Sequence, residues 1–252
     1  MCRHFSSRRA HGVCSGFVFF LLSVLLLTGC RESAQKFGRL TELAGNKTDK
    51  GISGHYFTEI YEHFFSPLKD TTTKILEIGV EKGGSLQLWR DYFPKAMVYG
   101  IDIIDTSELN SKRIRTFIAD QADRGQLKSA IDEFGSDFDI ILDDGGHGVD
   151  QQQISFAALF PHVRPGGYYI IEDVHTSLPQ IYPHYGVEEG EGNSTLRMIE
   201  NFIRTGQIES IYMTQEEMGY LKDNIDYCNL FFRNHPGHSI TCLFKKKNRR
   251  PG

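Results

Sequence analysis

From residue 73 onward, short β-branched and apolar runs alternate with stretches whose apolar residues recur at helical spacing. That alternation is the mark of parallel strands joined by crossover helices. Strands are predicted over 74–80, 97–101, 116–119, 138–142 and 168–171, with helices over 85–92, 122–134 and 151–160. Pro161 ends the last of these helices, and the turn Arg164-Pro165-Gly166-Gly167 leads into the fifth strand. The strand segments are short and apolar throughout, as expected where both faces are covered by helices. After a polar loop over 175–193 come a helix over 194–204 and two closing strands over 227–232 and 239–244, with His235-Pro236-Gly237-His238 as the turn between them. The predicted class is α/β: a Rossmann-like, doubly wound, mostly parallel seven-stranded sheet with an antiparallel C-terminal hairpin.

The N-terminus breaks this pattern. Arg3, Arg8 and Arg9 precede an apolar run from Phe17 to Leu27, which ends at Thr28-Gly29-Cys30. The run is shorter than the roughly 20 residues of a membrane-crossing helix and suits the apolar centre of a signal peptide. Leu27-Thr28-Gly29-Cys30 resembles the lipobox of bacterial lipoproteins, in which the cysteine is lipidated after cleavage. An uncleaved anchor and a start codon assigned too early are the other readings; the last would leave the domain cytoplasmic. Domains are therefore expected at 1–30 (signal or anchor), 31–55 (linker or lid), 56–247 (the α/β domain) and 248–252 (basic tail). Within the linker, Asn46-Lys47-Thr48-Asp49-Lys50-Gly51 is dense in capping groups and is expected to fold over the site as a lid.

Charge narrows the partners. The 252 residues carry a formal net charge of −4, and acids outnumber Lys and Arg by 32 to 28. An acidic body excludes nucleic acid as the main partner. Of the 5 cysteines, only Cys228 and Cys242 fall in the body. No spacing suits a metal, and these two read as apolar fillers on strands.

Chemistry gathers where strands end. Glu77-Ile78-Gly79-Val80-Glu81-Lys82-Gly83-Gly84-Ser85 closes the first strand and opens the first helix, a place where tight backbone approaches a ligand. A dinucleotide fingerprint needs a glycine where Glu81 stands, and the Glu81 charge would repel pyrophosphate. S-adenosyl-L-methionine carries a sulfonium and an amine and no phosphate, so acids suit it. Asp102 after the second strand is placed for a ribose diol, and Asp120 after the third for an adenine edge. A lone acid at a strand end is more often a helix cap, whereas three successive ones beside a glycine loop favour a ligand. The cofactor residues are accordingly Glu77, Gly79, Gly83, Ser85, Asp102, Asp120 and Asp143. Leu76-Glu77-Ile78-Gly79 with Gly83 and Ser85 resembles the first motif of class I methyltransferases, especially the catechol O-methyltransferase group, and Arg164-Pro165-Gly166-Gly167 resembles a later one.

Asp143-Asp144-Gly145-Gly146-His147 follows the fourth strand and Glu172-Asp173-Val174-His175 the fifth. Carboxylates converging from neighbouring strands repel unless a cation neutralises them, and oxygen donors suit Mg²⁺ or Mn²⁺. Such an ion would chelate adjacent hydroxyls and acidify one of them. His147 would take the proton, a role worth roughly 10² to 10⁴ in rate. Asp144, His147, Glu172, Asp173, His175, Thr176 and Ser177, preceded by Thr48-Asp49-Lys50, His55, Tyr56 and Tyr61, resemble the sugar O-methyltransferases of macrolide antibiotics and the rhamnosyl O-methyltransferase and cephalosporin-hydroxylase-type family. The resemblance implies Asp144, Glu172 and Asp173 as metal ligands, His147 as general base, and a small hydroxylated, sugar-like substrate. Tyr182, His184 and Tyr185 are placed to stack on a sugar, although such residues more often pin a long loop. The competing reading is a non-catalytic, membrane-tethered binding module. A nicotinamide oxidoreductase is disfavoured by Glu81, and a hydroxylase lacks an iron triad. Homo-oligomerisation is left open.

Overall fold

The computed structural model describes residues 37–186, 193–233 and 239–248. The signal or anchor, its lipobox cysteine, the turn around Pro236 and the last residues of the tail lie outside them. A compact unit starts at Phe37.

Seven strands form one sheet: β1 (Lys74–Ile78), β2 (Met97–Asp102), β3 (Ile114–Ile118), β4 (Phe138–Asp143), β5 (Val163–Ile171), β6 (Ile225–Arg233) and β7 (Ser239–Lys246). Their order is β3-β2-β1-β4-β5-β7-β6. The first five are parallel, while β7 runs antiparallel to both β5 and β6. Among the described residues seven α-helices accompany them: α1 (Arg39–Ala44), α2 (Phe57–Phe65), α3 (Gly84–Tyr92), α4 (Arg124–Phe134), α5 (Val149–Leu159), α6 (Thr195–Thr205) and α7 (Gln215–Asn224). Among the described residues no helix is long and apolar enough to cross a membrane.

Side-chain alternation along the strands separates two cores. Leu76, Ile141, Tyr169 and Ile171 pack with Leu127, Phe156, Met198 and Leu221 from α4 to α7. Ile75, Ile140, Leu142 and Ile170 point the other way, onto Phe57, Tyr61, Phe65, Leu86 and Trp89 from α2 and α3. The register aligns Ile78 with both Ile101 and Asp143, and Asp143 with Ile171. The loops that follow β1, β2, β4 and β5 therefore leave the sheet at one edge. The order reverses at β1, whose neighbours are β2 and β4, and ligands of open α/β sheets bind at such a point.

Three differences from the sequence reading have physical causes. The fifth strand begins at Val163, so Arg164-Pro165-Gly166-Gly167 lies inside it; the extra length is absorbed by a register shift between Phe138 and Ile140, with Gly166 at φ +74°. Residues 37–55 are not a free linker, because α1 packs on α2 and α3 with Leu40 and Ala44 fully buried. Helix α7 went unpredicted because its sequence, Gln215–Asn224, is polar on most sides; a capping box between Thr214 and Glu217 starts it. The hairpin strand β6, at the sheet edge, leaves Phe232 62% and Tyr227 39% exposed.

Candidate active site

The glycine loop after β1 is shaped from below. The Gly79 amide bonds to the Ile101 carbonyl at 2.9 Å, and the amides of Val80 and Glu81 donate to the Asp102 carboxylate at 2.7 and 3.0 Å. Gly79 has φ +84°, and a Cβ there would stand 1.9 Å from the Asp144 carbonyl oxygen, so only glycine fits. A cavity of about 770 Å³ opens beside this loop. Gly79, Ser85, Asp102 and Asp120 line it, as do Asp144, Gly145, Gly146 and His147. Asn46, Lys47, Thr48 and Asp49, with Ser53 and Gly54, also line it, from the segment expected to fold over the site. The volume suits a nucleoside-sized ligand.

Three predicted cofactor residues serve the cavity from outside it. Gly83 is not in the wall; at φ +74° it precedes α3 as its N-cap. Glu77 is fully buried, where it accepts from Trp89 Nε1 at 3.2 Å and faces Lys50 Nζ at 3.3 Å. It points to the opposite face of the sheet from a ligand because it alternates with Ile78. Asp143 is buried too, accepting from Ser155 Oγ, Tyr169 OH (3.2 Å) and Gln121 Nε2 (3.1 Å). Gln121 in turn accepts from the Gly146 amide at 2.6 Å, so Asp143 acts by holding the Gly145-Gly146 turn. Burial pushes Asp143 up to about 6 against the opposing hydrogen bond from Ser155, and burial pushes Glu77 up to about 7 although Lys50 pulls it down.

The reacting cluster stands at the ends of β4 and β5. One ligand atom each from Asp144, His147 and Asp173 lies within 4.8 Å of the others, a set able to hold a metal ion. His147 Nε2 is 3.5 Å from Asp173 Oδ2. His147 Nδ1 and Asp173 Oδ1 are buried without hydrogen-bond partners, and both residues sit at positive φ, +60° and +54°. Unpartnered donor atoms on a strained backbone mark a place built for a ligand. Two carboxylates with an imidazole fit Mg²⁺ and, with the nitrogen donor, Mn²⁺. Burial and the neighbouring Asp144 charge raise Asp173, an effect that a cation would offset.

Glu172, expected from the resemblance to join this set, is not one of the three grouped within 4.8 Å, although it shares the Lys50 ammonium with Asp144. Its carboxylate accepts from Tyr61 OH at 2.6 Å and from Lys50 Nζ at 2.8 Å. Lys50 also pairs with Asp144 Oδ2. Burial alone would lower the Lys50 ammonium, but Asp144, Glu172 and Glu77 outweigh it and hold the group well above its usual range. Lys50, Tyr61 and Gln121 are the residues that sequence reasoning did not assign to the site. Lys50 and Tyr61 stood in the segment quoted for the resemblance without a role, and Gln121 gave no signal. Around the cluster, His175 Nδ1 and His55 Nδ1 stand 3.7 and 3.8 Å from Asp173 Oδ1. Tyr182 meets His175 edge-on at 5.0 Å, and Tyr185 lies 6.4 Å from His147, while His184 is exposed.

No family model matches the chain. It is 36% identical, over 181 residues, to the 8-demethyl-8-(2-methoxy-alpha-L-rhamnosyl)-tetracenomycin-C 3'-O-methyltransferase of Streptomyces olivaceus, covering 69% of this chain and 46% of that protein. To the mycinamicin VI 2''-O-methyltransferase of Micromonospora griseorubida it is 35% identical over 210 residues, or 79% of this chain and 50% of the relative. The structure of the mycinamycin-pathway methyltransferase MycE in complex with Mg, SAH and mycinamycin VI superposes with a TM-score of 0.69 at 32% identity, covering 86% of this chain and 57% of that one. The chain thus spans about half the length of the curated relatives it matches.

Proposed function

We propose that the chain, similar over about half of their length to the macrolide-sugar O-methyltransferases, is a class I, S-adenosyl-L-methionine-dependent, divalent-metal-assisted O-methyltransferase acting on a hydroxyl of a sugar or polyhydroxylated natural product. One observation carries this reading. Asp144 belongs to both halves of the site: its backbone carbonyl packs under Gly79 in the cavity wall, and its carboxylate belongs to the ion-capable set. A methyl donor in the cavity and a hydroxyl at the cluster would therefore be neighbours.

In this mechanism the cavity holds the cofactor, with Asp120 and the loop of Gly79 around it and Asp102 fixing that loop. Asp144 and Asp173 hold the ion. A divalent ion there supplies the positive charge that orients a substrate hydroxyl and lowers its pKa. As the hydroxyl oxygen attacks the methyl carbon and the carbon–sulfur bond breaks, His147 takes the hydroxyl proton, leaving an ether and S-adenosylhomocysteine. Glu172 serves by binding Lys50. Tyr182 and Tyr185 present ring edges and faces beside His147 and His175 on which a pyranose can rest. The unpartnered Asp173 oxygen and His147 nitrogen weigh against a non-catalytic tethered module, since a buried polar atom without a partner costs stability.

The test is methyl transfer from S-adenosyl-L-methionine to rhamnosylated or macrolide acceptors with Mg²⁺, read by mass. Asp144→Ala is expected to abolish transfer while retaining affinity for S-adenosylhomocysteine; undiminished transfer in that variant would remove the metal mechanism. We also propose that residues 1–30 attach the domain to a membrane, supported by their arginines, apolar run and lipobox-like end. Fractionation of tagged full chain beside a Cys30→Ala variant tests this, and an unchanged soluble fraction in both would refute it.

A further inference from the structure

Resting on the methyltransferase reading, we propose that Lys50 is a positioning residue that pins the wall formed by residues 46–54 onto the reacting carboxylates, so that enclosure of the cofactor and alignment of Asp144 are one event. Lys50 is fully buried, yet the residues on both sides of it, Asn46 to Asp49 and Ser53 with Gly54, line the cavity. The wall is a string of tight turns: the Lys47 amide bonds to Ala44, Gly51 to Thr48, Gly54 to Gly51, and His55 to Asp49. These bonds are local, and the Thr58 amide, donating to the Lys50 carbonyl at 3.1 Å, ties the segment to the start of α2, not to the strand ends. Two further features attach it, one to the start of α3 and one to the strand ends. One is contact without a polar bond, the Lys47 carbonyl against Gly84, where a Cβ would sit at 1.9 Å. The other is the Lys50 ammonium, reaching Glu172 at 2.8 Å, Glu77 at 3.3 Å and Asp144. Its partners come from β1 and from the ends of β4 and β5, on both sides of the point where strand order reverses.

A buried ammonium among three carboxylates has no solvent to replace it, so losing it releases the wall and leaves the acids to repel one another. Asp144 is the shared member: Lys50 fixes one oxygen of the carboxylate that also belongs to the ion-capable set. Arg at this position keeps the charge but not the shape, because a planar guanidinium does not fit where a compact ammonium meets three acids.

The experiment compares wild-type full chain, Lys50→Arg and Lys50→Met in titrations with S-adenosylhomocysteine plus Mg²⁺, with circular dichroism of each and amide exchange over residues 46–54. The pin predicts that folded Lys50→Met loses at least about tenfold in affinity, that Lys50→Arg recovers part of it, and that exchange over 46–54 is slow in wild type, slower with ligand, and fast in Lys50→Met. Equal affinity and equal exchange in a folded Lys50→Met would overturn it. Should Lys50→Met fail to fold, wild-type exchange decides: residues 46–54 exchanging as fast as the exposed Ile103–Ile104 stretch would overturn the pin. Absence of wild-type binding would count against the methyltransferase reading, leaving exchange in the free proteins to judge the pin.

Discussion

Glu77, Asp144 and Glu172 share one ammonium, and one positive charge does not neutralise three carboxylates. Glu77 feels the shortfall most directly: fully buried, it rises from 4.5 up to about 7. A carboxyl whose pKa is higher folded than unfolded binds more protons in the native state, so its contribution to stability is complete below pH 4.5 and is lost as pH rises through 7. The loss amounts to about 3 kcal/mol. Glu172 and Asp143, both raised by burial, act in the same direction. The thermal midpoint of the ligand-free protein should fall between pH 5 and pH 8, and Glu77→Gln should shrink that fall by several degrees. Parallel curves for the two proteins would show that Glu77 is already fully ionised. The partnership behind this behaviour is not visible in a linear reading, because Lys50 lies 94 residues from Asp144 and 122 from Glu172. Strand-end acids can be located from local pattern; which of them face a ligand and which face a buried lysine depends on contacts across the sheet.

At the scale of elements, β1 to β5 were legible because each carries a short stretch rich in apolar and β-branched residues, set between helical patterns. The helices α1, α2 and α7 were not: six residues give too little period to detect, a polar helix gives none, and Phe57–Phe65 lies in a stretch read only for the residues carrying the resemblance. Helix α7 is held by its start. Thr214 Oγ1 accepts from the Glu217 amide at 3.2 Å, while Glu217 accepts from the Thr214 amide at 2.7 Å and from Arg124 Nε of α4 at 2.7 Å. Glu217 thus caps its own helix and ties it to the next. Thr214→Ala should cost about 1 kcal/mol, or roughly 2–4 °C in thermal midpoint, with affinity for S-adenosylhomocysteine unchanged. Glu217→Ala should cost more, since Arg124 then loses its partner. A Thr214→Ala variant as stable as wild type would show the box to be idle. The hairpin strand β6 was placed correctly within two residues, but its exposure was not foreseen, because apolar composition alone does not reveal that a strand lies at the sheet edge.

For the whole molecule, topology turns scattered residues into a site. Parallel strands in register deliver the loops after β1, β2, β4 and β5 to one edge, and the order reversal at β1 leaves a cavity there that the segment 46–54 covers. The same geometry sets Asp144 and His147 of the ion-capable trio in the cavity wall, so that in the proposed reaction donor and acceptor would be neighbours. Calorimetric titration of S-adenosyl-L-methionine into the protein, with and without Mg²⁺, tests this most directly. The account predicts saturable, micromolar binding of one cofactor per chain in both buffers, with the ion adding an Asp144-dependent heat of its own. Absence of cofactor binding in either buffer would contradict it.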